Sequence, residues 1–188
     1  MKKTLIAVVL TLVLCLCAFG TTLAFLIDKT EPVVNTFTVG NVDITLTETD
    51  AVDGAKSFKM VPGNKITKDP EVTVVGGSED CYLFVKVEKS DNFDTFITSD
   101  MDDAWTVLDA TNHPGVYYRT VAASNADQTF SVLKGDAVTV NDSVTKTMMS
   151  ALTEATRPTI TFTAYAVQQA HVADAAEAWT LAQNPANY

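Results

Sequence analysis

Apolar and polar residues alternate along most of the chain, with the two-residue period of a strand that has one buried face. Over 41–48, Val42, Ile44 and Leu46 fall on one side while Asp43, Thr45 and Thr47 fall on the other. Over 71–75, Val72 and Val74 alternate with Thr73. Cys81, Leu83, Val85 and Val87 share a face, opposite Tyr82, Phe84, Lys86 and Glu88. Over 158–168, Ile160, Phe162, Ala164 and Ala166 oppose Thr159, Thr161, Thr163 and Tyr165. Shorter runs at 36–39, 116–121, 128–133 and 136–140 follow the same rule, and their β-branched residues favour extended backbone.

Turn signals separate these runs: Asp53-Gly54, Pro62-Gly63-Asn64, Gly76-Gly77, His113-Pro114-Gly115 and Lys134-Gly135-Asp136. About eight to ten short strands are expected, which predicts an all-β chain folded as a β-sandwich or jelly roll. Two stretches depart from alternation. Residues 142–155 place Val144, Met148 and Leu152 four apart, a helical spacing that their threonines weaken. Residues 172–182, with Ala173, Ala175, Ala176, Ala178 and Leu181, form the better helix. One or two short peripheral helices are therefore expected beside the sheets.

The beginning of the chain follows another logic. Lys2 and Lys3 precede residues 4–27, which carry no charge. The run 5–17 is continuously apolar apart from Thr11, and the small residues Gly20-Thr21-Thr22 follow. This is the pattern of a secretory signal, predicting an N-terminal signal helix over 1–24 with cleavage between Ala24 and Phe25. An uncleaved transmembrane anchor is the alternative, because such a stretch is long enough to span a bilayer. Lipid-linked processing is disfavoured, since Leu14 precedes Cys15 and Leu16 precedes Cys17, where a small residue is needed. The mature chain, 25–188, is expected to form a single domain without repeats or linkers.

Composition narrows the partners. The full chain has 188 residues and 13 Lys and Arg against 23 Asp and Glu, a net charge of −10. Losing Lys2 and Lys3 with the signal makes the mature balance −12. A nucleic-acid backbone is an implausible partner for such a surface. A polybasic grip on a membrane is excluded for the same reason, leaving membrane contact only through the uncleaved signal. Of three cysteines, Cys15 and Cys17 belong to the signal, so Cys81 is alone in the mature chain. An exported domain without disulfides suits a Gram-positive surface and must be held by its core.

Chemical signatures are sparse. A zinc peptidase of the H-E-x-x-H type needs two histidines one helical turn apart, whereas His113 and His171 are distant and read as solvated. Cys81 formally offers a thiol nucleophile, but its place on an apolar strand face makes it a small core residue. No G-x-S-x-G elbow or phosphate-cradling glycine loop occurs. Asp91, Asp94, Asp100, Asp102 and Asp103 supply oxygens suited to Ca²⁺ but lack EF-hand spacing, and read as a solvated acidic loop. Trp105, Tyr117, Tyr118 and Trp179 read as core aromatics rather than a sugar platform. No catalytic residue, metal site or cofactor is expected.

Three blocks carry a resemblance. Residues 20–28 (GTTLAFLID) with 35–46 (NTFTVGNVDITL) resemble the amino terminus of the TasA/camelysin family of Gram-positive exported proteins. Residues 59–68 (KMVPGNKITK) resemble the family's lysine-flanked Pro-Gly turn, and 160–169 (ITFTAYAVQQ) with Ala-Glu-Ala-Trp at 176–179 resemble its carboxyl terminus. Residues 90–128 have no such counterpart. The resemblance implies a jelly-roll-like exported domain whose signal is removed by a dedicated signal peptidase. It also implies a structural protein of the cell surface or biofilm matrix that assembles into fibres with itself and with a related accessory subunit. A surface metallopeptidase, as camelysins have been classed, is the alternative, and the chain departs from recognised zinc-peptidase patterns. After cleavage, Phe25, Leu26 and Ile27 would lead the chain, ahead of Pro32. Residues 25–34 are thus a candidate donor segment that adds as a strand to the next subunit.

Overall fold

The computed structural model describes residues 41–49 and 58–184. The expected signal helix, the Ala24–Phe25 junction, the donor segment with Phe25, Leu26 and Ile27, the run 36–39 and the Asp53-Gly54 turn all lie outside the described residues.

The described chain is predominantly β, in three antiparallel sheets, an arrangement compatible with an all-β sandwich. Its strands are β1 (Ile44–Thr47), β2 (Lys65–Thr67), β3 (Glu71–Val74), β4 (Cys81–Lys89) and β5 (Ile97–Thr98). They continue with β6 (Thr106–Asp109), β7 (His113–Val121), β8 (Gln128–Ser131), β9 (Ala137–Val140) and β10 (Ile160–Gln168). Helix α1 is Phe93–Phe96, α2 is Lys146–Ser150 and α3 is Ala175–Gln183. The sheets run β1-β3-β8, β10-β4-β7-β6 and β2-β9-β5.

Strand β4 is the axis of the fold because each of its faces sends buried apolar side chains into a core. One face sends Cys81, Leu83 and Val85 against Val72 and Val74 of β3, with Val121, Val132 and Trp105 closing the same core. The other face sends Phe84 beneath α3, where Ala178 and Trp179 cover it together with Val116 and Val167. Alternation alone leaves the Tyr82–Glu88 face for solvent. The structure buries Phe84 completely instead. Helix α3 is therefore a covering layer rather than a peripheral one. It is nucleated at Asp174, whose side chain accepts the Glu177 N–H at 2.9 Å as an N-cap. A third core joins β2, β5 and β9 to α1 through Ile66, Phe93, Phe96, Ile97, Val138 and Val140.

Local expectations are revised at two places. The helical spacing over 142–155 yields only α2, capped by Thr145, and a 3₁₀ turn at Glu154–Thr156. Thr153 and Thr156 close that turn on each other, the local competition that threonine hydroxyls offer a helix. His113-Pro114-Gly115, read as a turn, instead opens β7. The reversal lies earlier, where the Asp109 carboxylate accepts the N–H groups of Thr111 and Asn112 at 2.8 and 3.0 Å. Gly115 is needed inside the strand: its φ is +76°, and a Cβ there would run into the Val87 carbonyl oxygen.

Pro62 and Gly63 occupy the middle of a four-residue turn. The Asn64 N–H donates to the Val61 carbonyl at 3.0 Å, and Gly63 has φ +76°, the geometry of a type II turn. The Gly63 N–H donates to the Val140 carbonyl at 2.9 Å, tying the turn to β9. A Cβ on Gly63 would meet only the carboxylate oxygen of exposed Asp142, at 2.6 Å, which can swing away. Gly63→Val is therefore expected to destabilise the domain through backbone strain, by about 1–2 kcal/mol. A urea melt that superimposes on the wild type would contradict this.

Candidate functional site

The sheet edges leave two seams, and each holds a cation among aromatic rings. On the β6/β8 side, Arg119 points from β7 between Phe130 and Trp105, with its guanidinium 3.8 and 5.5 Å from the two ring centroids. Trp105 is fixed by its indole N–H, which donates to the Ser131 carbonyl at 2.8 Å. Burial draws the Arg119 pKa below its ordinary value, while the negative charge of Asp102 acts in the opposite direction. This seam is filled.

The opposite seam is open. Between the carboxyl end of β1 and the start of β10 lies a groove of about 500 Å³, floored by Ile66, Phe93, Ile97 and Val138 and walled by Phe58 and Phe162. Its position follows from register. Thr47 pairs with Glu71, so the chain leaving β1 stays beside the chain entering β3. Glu48 and Lys68 therefore face each other at 2.8 Å, with side chains only 14% and 9% exposed. Lys68 Nζ also sits 5.4 Å from the ring centroids of both Phe58 and Phe162. Glu48 Oε1 is buried without a hydrogen-bond partner. The groove thus offers apolar walls, one sequestered ion pair and the outer edge of β1, which pairs only with β3 among the described residues.

The residues weighed for chemistry are dispersed. Cys81 is fully buried, and burial, aided by the charge of Asp80, pushes its thiol up to about 11. At pH 8 the thiol stays neutral and sealed, so maleimide labelling mapped to Cys81 is expected only after unfolding in denaturant. Labelling of the folded domain at the denatured rate would refute this placement. His113 lies edge-on to Trp179, with centroids 6.5 Å apart, and His171 is exposed at φ +66°. In the acidic loop, Asp103 is clamped by Lys134 at 2.7 Å and Asp102 accepts the Ala104 N–H at 3.0 Å. Asp94 pairs with Lys89 at 2.8 Å. Among the described residues no three His, Cys, Asp or Glu side chains converge as a metal site. Trp105 and Trp179 are buried, and Tyr118 packs against Phe84 and Tyr82.

Sequence reasoning missed the Glu48–Lys68 pair because the two residues carry no shared motif. No local signal marks it, since Lys68 lies among Thr67, Asp69 and Glu71 in what reads as an ordinary polar stretch. Compared with protein-family models, curated proteins and solved structures, the chain finds no match.

Proposed function

We propose that this chain is a structural protein of the TasA/camelysin type, a jelly-roll-like domain exported by its signal helix and built into extracellular or biofilm-matrix fibres. Copies of the chain are its partners, with a related accessory subunit and a signal peptidase that cuts between Ala24 and Phe25. The observation that carries this reading is the open seam between β1 and β10. A strand edge with no further partner among the described residues, beside an apolar groove, is suited to receive an added strand. Phe25, Leu26 and Ile27 of a second copy supply side chains of the matching kind. Of the resemblance blocks, the described residues fall on β1, on the Pro62-Gly63 turn with β2, and on β10 with α3.

The test is direct. Purified protein beginning at Phe25 is examined by electron microscopy and incubated with casein, with and without a chelator. Fibres without proteolysis support the structural reading. Chelator-sensitive casein cleavage without fibres replaces it with the peptidase.

A further inference from the structure

We propose that Lys68 and Glu48 condense into an intramolecular amide, a covalent cross-link that the domain forms once folded. The inference stands apart from fibre assembly and rests on the geometry of one pair. The 2.8 Å contact runs from Nζ to Oε2, an oxygen bonded to the carboxyl carbon Cδ, so the fold holds the amine nitrogen beside the carboxyl group it would attack. Holding the two groups together in this way makes the condensation intramolecular. The pair is nearly closed to water, with a phenyl ring 5.4 Å from Nζ on each of two sides.

As an ion pair the arrangement is poorly satisfied, because two charges are desolvated and Glu48 Oε1 has no hydrogen-bond partner. A neutral amide removes both charges. Lysine is also the cation that can react this way: its amine becomes a nucleophile once deprotonated, whereas arginine keeps its proton.

The step balances without a co-reactant. The Lys68 ammonium passes one proton to the Glu48 carboxylate across their contact, leaving an amine beside a carboxylic acid. The nitrogen lone pair attacks Cδ and forms the C–N bond. A second proton moves from nitrogen to the hydroxyl oxygen, the C–O bond breaks with its electron pair, and water departs. That water holds two former ammonium protons and one carboxyl oxygen, so nothing is oxidised or reduced. The product closes the chain from Glu48 to Lys68 into a covalent loop. In a mature chain whose one cysteine is Cys81, such a loop restricts the unfolded state as a disulfide does.

The experiment is mass spectrometry of the purified wild-type protein, denatured so that ion pairs dissolve and covalent bonds persist. The expected mass is one water below that required by the sequence between the observed termini. Trypsin is expected to skip Lys68 and yield a branched peptide joining 30–56 to 66–86. Lys68→Arg, which keeps the charge but cannot condense, is expected to restore the full mass and linear peptides. A wild-type protein of full mass that is cleaved normally after Lys68 overturns the proposal. So does a mass deficit that survives in Lys68→Arg, since the bond would then lie elsewhere.

Discussion

Trp179→Ala is expected to cost about 3–5 kcal/mol of folding stability, the range for emptying a buried aromatic site. Trp179 is 4% exposed, 5.4 Å from Phe84 and 5.1 Å from Tyr165 between ring centroids, and edge-on to the latter. It is the main apolar anchor of α3, whose other buried contacts are the small side chains of Ala175 and Ala178. A helix of nine residues is marginal in water without such packing. The loss therefore includes both the cavity and the release of the helix from the sheet. Urea unfolding followed by far-ultraviolet circular dichroism reads both effects, as a lower midpoint and a reduced helical signal before the main transition. Phe84→Ala attacks the same contact from the sheet side. Because the two rings share one interface, the double variant should lose less than the sum of the single losses. Additive losses, or an unchanged midpoint for Trp179→Ala, would show that α3 is held by something other than this contact.

What the chain discloses before its structure depends on how local each cause is. Strands β3, β4 and β10 are legible because alternation with β-branched residues is a property of consecutive positions. The Pro62-Gly63 turn is equally local, since Pro presets one dihedral and Gly supplies the next. Phe84 is where local reasoning stops. Its face also carries Lys86 and Glu88, and only α3, some ninety residues later, makes its first half a second core. Strands β5 and β6 are illegible for a related reason: β5 has two residues, β6 sets Val107 and Leu108 side by side without alternation, and pairing with β9 and β7 defines them. The Glu48–Lys68 contact is a pure product of register, twenty residues apart and set by β1 lying against β3. Cys81 was legible because strand parity alone places it inward.

Protein beginning at Val33 is expected to remain monomeric under conditions where protein beginning at Phe25 polymerises. The eight deleted residues contain Phe25, Leu26 and Ile27, a run of apolar side chains that is costly to leave in water. Burying each in a neighbour's groove contributes about 1.5–3 kcal/mol, and each strand hydrogen bond adds about 0.5–1.5 kcal/mol net. Ordering the segment costs about 1–2 kcal/mol per residue, so one junction is close to balanced and assembly depends on contacts repeated along the fibre. A marginal junction responds steeply to losing its anchors, which makes truncation an all-or-none test rather than a graded one. On the proposed reading the same residues adjoin the apolar run 5–17 until the cut after Ala24, so processing would also time assembly to export. Sedimentation separates the outcomes, with circular dichroism checking that the shorter protein still folds around β4 and its two cores. Folded monomers from Val33 beside fibres from Phe25 support strand exchange. Fibres of normal appearance from Val33 would place the assembling segment elsewhere in the chain.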